Sequence, residues 1–261
     1  MIDKFMTHPL PNTLAVIVLL ALIFSWIASL LLALREEQVS SDAGWYGWWI
    51  LVVALLGLPG IFDLLQTTGV ALLFAAIASL VIVSTIVVQI IRLVGSSSNG
   101  LVKNWSKWAI PVLVAGGLAV SGYFVYLELT SGTVTCGPAK GCDTVQNSPY
   151  ARLFGIIPLG MMGFAGNLAI LAGWLVWQYG PVSIRRFGSL VMWGFCVFGV
   201  LFSIYLTFLE PFVIGATCLW CITSAVIMML LLLHSTPAAQ QAFTIDEEEE
   251  EDEDDLLPEG D

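Results

Sequence analysis

The sequence predicts an all-α, multi-pass membrane protein. Of 261 residues, 58% are hydrophobic and only 11% are charged, a balance that soluble globular domains do not carry. The apolar residues fall in long runs, most of them able to cross ~30 Å of hydrocarbon as a single helix. Trp45, Trp48, Trp105, Trp108 and Trp177 gather near the ends of those runs, where amphipathic rings settle at a membrane–water interface.

Net charge sharpens this picture once its source is found. The formal value of −11 comes largely from the ten acids Asp246 to Asp255, with Glu259 and Asp261, so the membrane part is nearly neutral. No basic surface exists to neutralise phosphates, which sets nucleic acid aside as a partner. With only His8 and His234 present, a histidine-based metal site is not expected either.

Seven spans are read in order: Leu14–Leu34, Tyr46–Leu64, Val70–Leu93, Trp108–Leu129, Leu153–Trp177, Leu190–Leu209 and Cys218–His234. The first is too long for a signal peptide and runs into Arg35-Glu36-Glu37 without a small-residue cleavage site. The second is short and carries Gly57, Pro59 and Gly60. A linker, Gly95-Ser96-Ser97-Ser98-Asn99-Gly100, follows the third. The expected divisions are therefore three N-terminal helices (1–94), a linker (95–106), a four-helix block (107–235) and a disordered acidic tail (236–261). The first block carries no chemistry of its own and reads as a packing or docking unit.

An odd number of spans puts the chain ends on opposite sides. With the N-terminus outside, the inner loops collect Arg35, Arg92, Lys103, Lys107, Arg185 and Arg186, leaving Lys4, Lys140 and Arg152 outside. The positive-inside rule favours that orientation, with the doublet Arg185-Arg186 in the shortest loop. It places Cys136, Cys142, Cys218 and Cys221 at the outer face and the acidic tail in the cytoplasm. Glu128 and Glu210 fall at outer span ends, so the spans contain no buried ionisable pair of the kind a transporter uses.

The chemistry resides in those four cysteines. Cys136 and Cys142 lie in a polar stretch where Gly132, Gly137, Pro138 and Gly141 permit backbone change. A disulfide closing so small a loop adds little stability, which favours a shuttling bond over a staple. Cys218-Leu219-Trp220-Cys221 opens the last apolar run, with thiols one helical turn apart. There the free N–H groups and dipole of a helix favour a thiolate, with Thr217 as the N-cap and Cys218 the more exposed, exchanging thiol. Cys221 lies deeper, where an apolar oxidant dissolved in the bilayer, such as a quinone, could reach it. Two inert disulfides and a four-thiolate zinc site are the competing readings. Cys196, alone in mid-span, reads as a small buried hydrophobe.

Beyond the bare spacing, the combination Cys136-Gly137-Pro138, Gly141-Cys142-Asp143-Thr144-Val145, Ser148-Pro149-Tyr150-Ala151, Gly155-Ile156-Ile157-Pro158-Leu159-Gly160 and Cys218-x-x-Cys221 resembles the vitamin K epoxide reductase family, its bacterial members most closely. The resemblance covers about residues 108–235. Cysteine order separates it from the DsbB-type oxidases, where the C-x-x-C pair comes first. The resemblance implies a four-helix bundle around a quinone near the outer face, capped by part of the long loop. By that similarity Cys221 is the thiol beside the quinone, Cys218 exchanges with Cys142, Cys136 accepts electrons from a partner, and Ser148 supports the quinone site. On chemistry alone Ser148 reads equally well as a cap before Pro149.

Two departures weaken epoxide reduction. Ala225 stands where the animal enzymes have a tyrosine, and the stretch Ile156 to Leu159 holds no equivalent of the asparagine that binds the vitamin K carbonyl. Many bacterial members carry a fused thioredoxin-like domain. Here an acidic tail occupies the C-terminal position, so the expected partner is a separate thioredoxin-fold (DsbA-like) protein. The expected function is that of a thiol oxidase in the cell (inner) membrane, passing electrons through both cysteine pairs to ubiquinone or menaquinone and so supporting disulfide formation. Quinone or quinone-epoxide reduction driven by thiols is the alternative, as is a non-catalytic membrane protein with structural disulfides.

Overall fold

A backbone crossing hydrocarbon must satisfy its own N–H and C=O groups, so leucine- and valine-rich runs of this length become helices. The computed structural model describes residues 9–34, 81–90, 92–93, 106–132, 141–153 and 155–255. In these, α1 is Pro9–Ala33, α2 Val81–Ile90, α3 Ser106–Thr130, α4 the short Cys142–Gln146, α5 Leu159–Tyr179, α6 Val182–Leu209 and α7 Leu219–Asp255. A 3-10 turn (Pro149–Ala151) and a two-stranded hairpin, β1 (Arg152–Leu153) with β2 (Ile157–Pro158), lie between α4 and α5. A π-helical turn, Glu210–Ile214, joins α6 to the approach to α7. The architecture is all-α apart from that hairpin.

Five of these helices are long and apolar enough to cross a membrane, and they are not equivalent. In the span Leu219–Phe243 of α7, 83% of the most apolar window is buried, against 22% for the corresponding windows of α5 and α6. The last helix is therefore the axis of the bundle, packed by α1, α3 and α6. The outer helices turn side chains such as Leu20, Phe198 and Tyr205 outward, an apolar surface that a bilayer covers. Close approach of α6 to α7 depends on Gly199, where an added Cβ would lie 2.9 Å from the Met228 sulfur.

The N-terminal helix is an integral part of this packing. Asn12 near its start meets Thr217 just before α7, and Ser29 near its end shares a 2.7 Å hydrogen bond with Thr236 near the far end of the span. Hence α1 and α7 run in the same direction. Trp193 Nε1 of α6 donates to Ser29 Oγ at 3.1 Å, and Gln89 Nε2 donates to Ser25 Oγ at 2.7 Å. Hydrogen bonds of this kind hold helices together where apolar burial gives no preference over lipid. Arg92, expected in an inner loop, is buried and donates to the Leu233 carbonyl at 3.0 Å.

Several expected boundaries move. The expected second span, the linker 95–100 and the loop residues 133–140 lie outside the described residues, as does the third span apart from 81–90 and 92–93. The fifth span begins at Leu159 rather than Leu153, because Arg152–Pro158 form the hairpin, turned at Gly155 with φ +73°. A positive φ is open to glycine without steric cost. The sixth begins earlier, at Val182, so Arg185 and Arg186 sit in its first turns rather than in a loop. Residues from 236 onward were expected to be disordered, but α7 is helical through Asp255, and Ala238, Ala239 and Ala242 are buried. Glutamate is a good helix former, so an acidic run following a helix can extend it.

Candidate active site

The site is built where the chain reverses between α6 and α7. Pro211 sits at the start of the π-helical turn, and Gly215 ends it with φ +82°. The Gly215 and Ala216 N–H groups both donate to the Glu210 carbonyl, at 2.8 and 3.2 Å. This wide turn leaves Ala216, Thr217 and Cys218 as a short irregular approach to α7, which starts at Leu219.

Cys218 is thus the residue that caps α7. Its sulfur accepts the Cys221 N–H at 3.4 Å, the bond an N-cap side chain makes to the third helical residue. Thr217, expected as the N-cap, instead donates its hydroxyl to Asn12 Oδ1 at 2.8 Å. A second expectation is also corrected: Cys218 is only 1% exposed, whereas Cys221 is the half-buried thiol of the pair. The start of α1 and the loop carrying Cys142 cover Cys218, and both come from remote sequence.

That loop approaches very closely. A Cβ at Gly141 would collide with the Thr217 carbonyl oxygen, so only glycine lets the start of α4 lie on this segment. Cys142 follows at once, fully buried in the same apolar cluster as Cys218. Cys142 is disulfide-bonded while Cys218 and Cys221 are free thiols; Cys136 lies outside the described residues. Cys196 is buried at the middle of α6, remote from the others in role, as a lone apolar filler would be.

Cys221 faces a cavity of about 410 Å³, within the size range of small-molecule sites. Its walls are almost wholly apolar and come mainly from α3, α5, α6 and α7, with the end of α4 and Ala151 closing them; Phe124, Phe195, Phe198 and Phe202 are among them, and Ser121, Gln146, Ser203, Thr207 and Ser224 are polar points. A flat, largely apolar ring fits such a space. Ala225 also lines it, so the position discussed above presents a methyl group rather than a phenol. A much smaller adjoining space is also lined by Cys221 and is bordered by Ser148, Tyr150 and Glu210. Ser148 Oγ donates back to the Val145 carbonyl at 2.7 Å and makes no side-chain cap to the following 3-10 turn.

Glu210 is the residue that sequence reasoning misplaced. It is 2% exposed, and its Oε2 accepts the Cys218 N–H at 3.0 Å. The Cys221 side chain borders the same small space as this carboxyl group. Its signal was present in the sequence: a lone acid within an apolar run, at membrane depth, is functional by default. Asn12 carried no such signal, since nothing in a single sequence links it to Thr217. Glu128 does lie at a span end, where it pairs with Arg152 at 2.6 Å.

A helical membrane bundle that sets a C-x-x-C thiol pair between a disulfide-bonded cysteine and an apolar cavity is a thiol-redox membrane protein in class. Residues 108–236 match the model of the vitamin K epoxide reductase family, and through this segment the chain belongs to that family. No curated protein and no solved structure matches the chain. Family membership makes it an oxidoreductase with a membrane, quinone-linked thiol function.

Proposed function

We propose that this protein is a membrane thiol oxidase that passes electrons from a reduced thioredoxin-fold dithiol protein through two cysteine pairs to a membrane quinone. Electrons enter at Cys136–Cys142, pass to Cys218–Cys221 and leave from Cys221, each exchange being thiolate attack on a disulfide through a mixed disulfide. The redox end lies outside the cytoplasm, where disulfides persist. Residues 107–235 form the catalytic domain, and the preceding helices brace it.

The observation that carries this reading is the position of Cys221 in the wall of the apolar cavity, with Cys218 on its other side against Gly141-Cys142. One thiol is within reach of a lipid-soluble oxidant and the other of the loop. Ala225 in the cavity wall supports oxidase over epoxide reductase, since the phenol of the animal enzymes is missing.

The test is turnover of the purified protein with a reduced thioredoxin-fold substrate and a ubiquinone or menaquinone. Cys218→Ala is expected to reduce no quinone and, with reduced substrate present, to leave the loop pair as the dithiol. Quinone reduction at the native rate by that variant would overturn the relay.

A further inference from the structure

We propose that Glu210 is a catalytic residue of the thiol pair: its carboxyl group takes the proton of Cys221 when the pair is oxidised and supplies a proton to the Cys221 sulfur when the pair is reduced. This rests on the reading of the protein as a thiol oxidase and adds to it the group that moves the proton.

The geometry is specific. The carboxyl is buried in the π-helical turn, and one oxygen accepts the Cys218 N–H at 3.0 Å. A buried carboxyl in an apolar bundle is costly unless partnered, and this partner belongs to the redox pair. Glu210 and Cys221 also border the same small space, whereas the large cavity is lined by Cys221 and not by Glu210. The carboxyl therefore lies beside the reacting thiol without lining the room that the electron acceptor needs.

The chemistry requires such a group. When the Cys218–Cys221 bond forms, the two thiols lose two electrons and two protons, and the quinone gains two of each to become the quinol. The Cys221 S–H bond breaks, and Glu210 takes that proton and passes it to the quinone, whose second proton comes from the Cys218 thiol. In the opposite half-cycle a loop thiol gives up its proton, which recharges Glu210, and the thiolate attacks the Cys218 sulfur; the bond to Cys221 breaks, and Glu210 protonates the departing Cys221 sulfur. A thiolate is the species that reacts in both directions, and one beside largely apolar walls has few groups near it to exchange a proton with.

Other ionisable groups in the elements packed around the site do not offer a substitute among the described residues. The helix α1 carries no charged residue, the π-helical turn has only Glu210, α6 has Arg185 and Arg186 at its opposite end, and Asp143 on α4 is exposed. The remaining titratable neighbours are Tyr150, which borders the same small space, and Cys142, Cys218 and Cys221.

The experiment uses the full-length protein in detergent, fully reduced and then mixed with excess short-chain ubiquinone in a stopped-flow spectrometer, following loss of quinone absorbance over one turnover. Glu210→Gln keeps an oxygen to accept the Cys218 N–H and removes the proton carrier. It is expected to slow quinone reduction about 100-fold, the usual worth of a positioned acid–base group. Its rate is expected to rise with pH more steeply than that of the native protein, because hydroxide must replace the carboxylate. A Glu210→Gln rate equal to native across the pH range would overturn the proposal and leave Glu210 as a cap for Cys218. Should Glu210→Gln not fold, Glu210→Asp retracts the carboxyl from the sulfur and is expected to slow the same step; a native rate there would equally overturn it. If the native protein itself reduces no quinone, it is the oxidase reading that falls.

Discussion

Cys218 is held from three sides. Its sulfur caps α7 through the Cys221 N–H, its own N–H is bound by Glu210, and the residue before it is fixed by Asn12 and overlain by Gly141. The last contact gives a clean prediction, because a methyl group at 141 must push the Cys142 loop off the Thr217 carbonyl. Gly141→Ala is expected to cost about 100-fold in thiol–disulfide exchange, the order of effect that follows ~1 Å of misplacement. Reduction of quinone by the prereduced Cys218–Cys221 pair should be unchanged, and a variant with normal exchange would show that the close approach is not needed. The cysteines of this site were legible from spacing and setting alone. What covers each of them was not: periodicity places a residue on a helix, whereas burial of Cys218 depends on Asn12 and Gly141, which a single sequence does not bring together. Glu210 was legible as an acid at the end of an apolar run and was read as solvated because its partner, the turn back through Gly215, is a tertiary feature.

Among the elements, α1 has the largest gap between its blandness in sequence and its place in the fold. It contains no charged residue and reads as a simple span, yet it runs along α7 from Thr217 to Thr236. Asn12→Ala would leave the buried Thr217 hydroxyl without its acceptor, at a cost of about 1–3 kcal/mol. The expected result is a lower melting temperature in detergent together with faster alkylation of Cys218 in the reduced protein, and unchanged alkylation would show that α1 does not guard the thiol. The spans themselves were legible because hydrophobic length is decided by the bilayer. Their ends were less so. The hairpin Arg152–Pro158 is built from apolar and small residues that continue the hydropathy of α5, and only the positive φ of Gly155 separates the two. The start of α6 extends past Arg185 and Arg186, whose long stems allow charged heads to remain at the interface while the backbone is already helical.

In the molecule as a whole, the most buried helix carries the reactive pair, and less buried helices surround it. The arrangement gives Cys218 and Cys221 separate access: the loop reaches one from the end of the bundle, and the cavity reaches the other from among α3, α5, α6 and α7. Electrons can then cross from an aqueous dithiol to a lipid-soluble acceptor without the two ever meeting. The all-α, multi-pass character and the family of the half spanning residues 108–236 were legible from composition and from the joint pattern of cysteines, prolines and glycines. The integration of α1 with that half was not, because it rests on Asn12 and Ser29, small polar residues whose partners Thr217, Thr236 and Trp193 lie far along the chain. The central claim is the transfer of electrons from a protein dithiol to quinone by way of Cys221. Its most direct test is quinone-dependent oxidation of a reduced thioredoxin-fold protein by the purified chain, run beside Cys221→Ala. The account predicts turnover by the native protein and none by the variant; turnover that survives loss of Cys221 would contradict it.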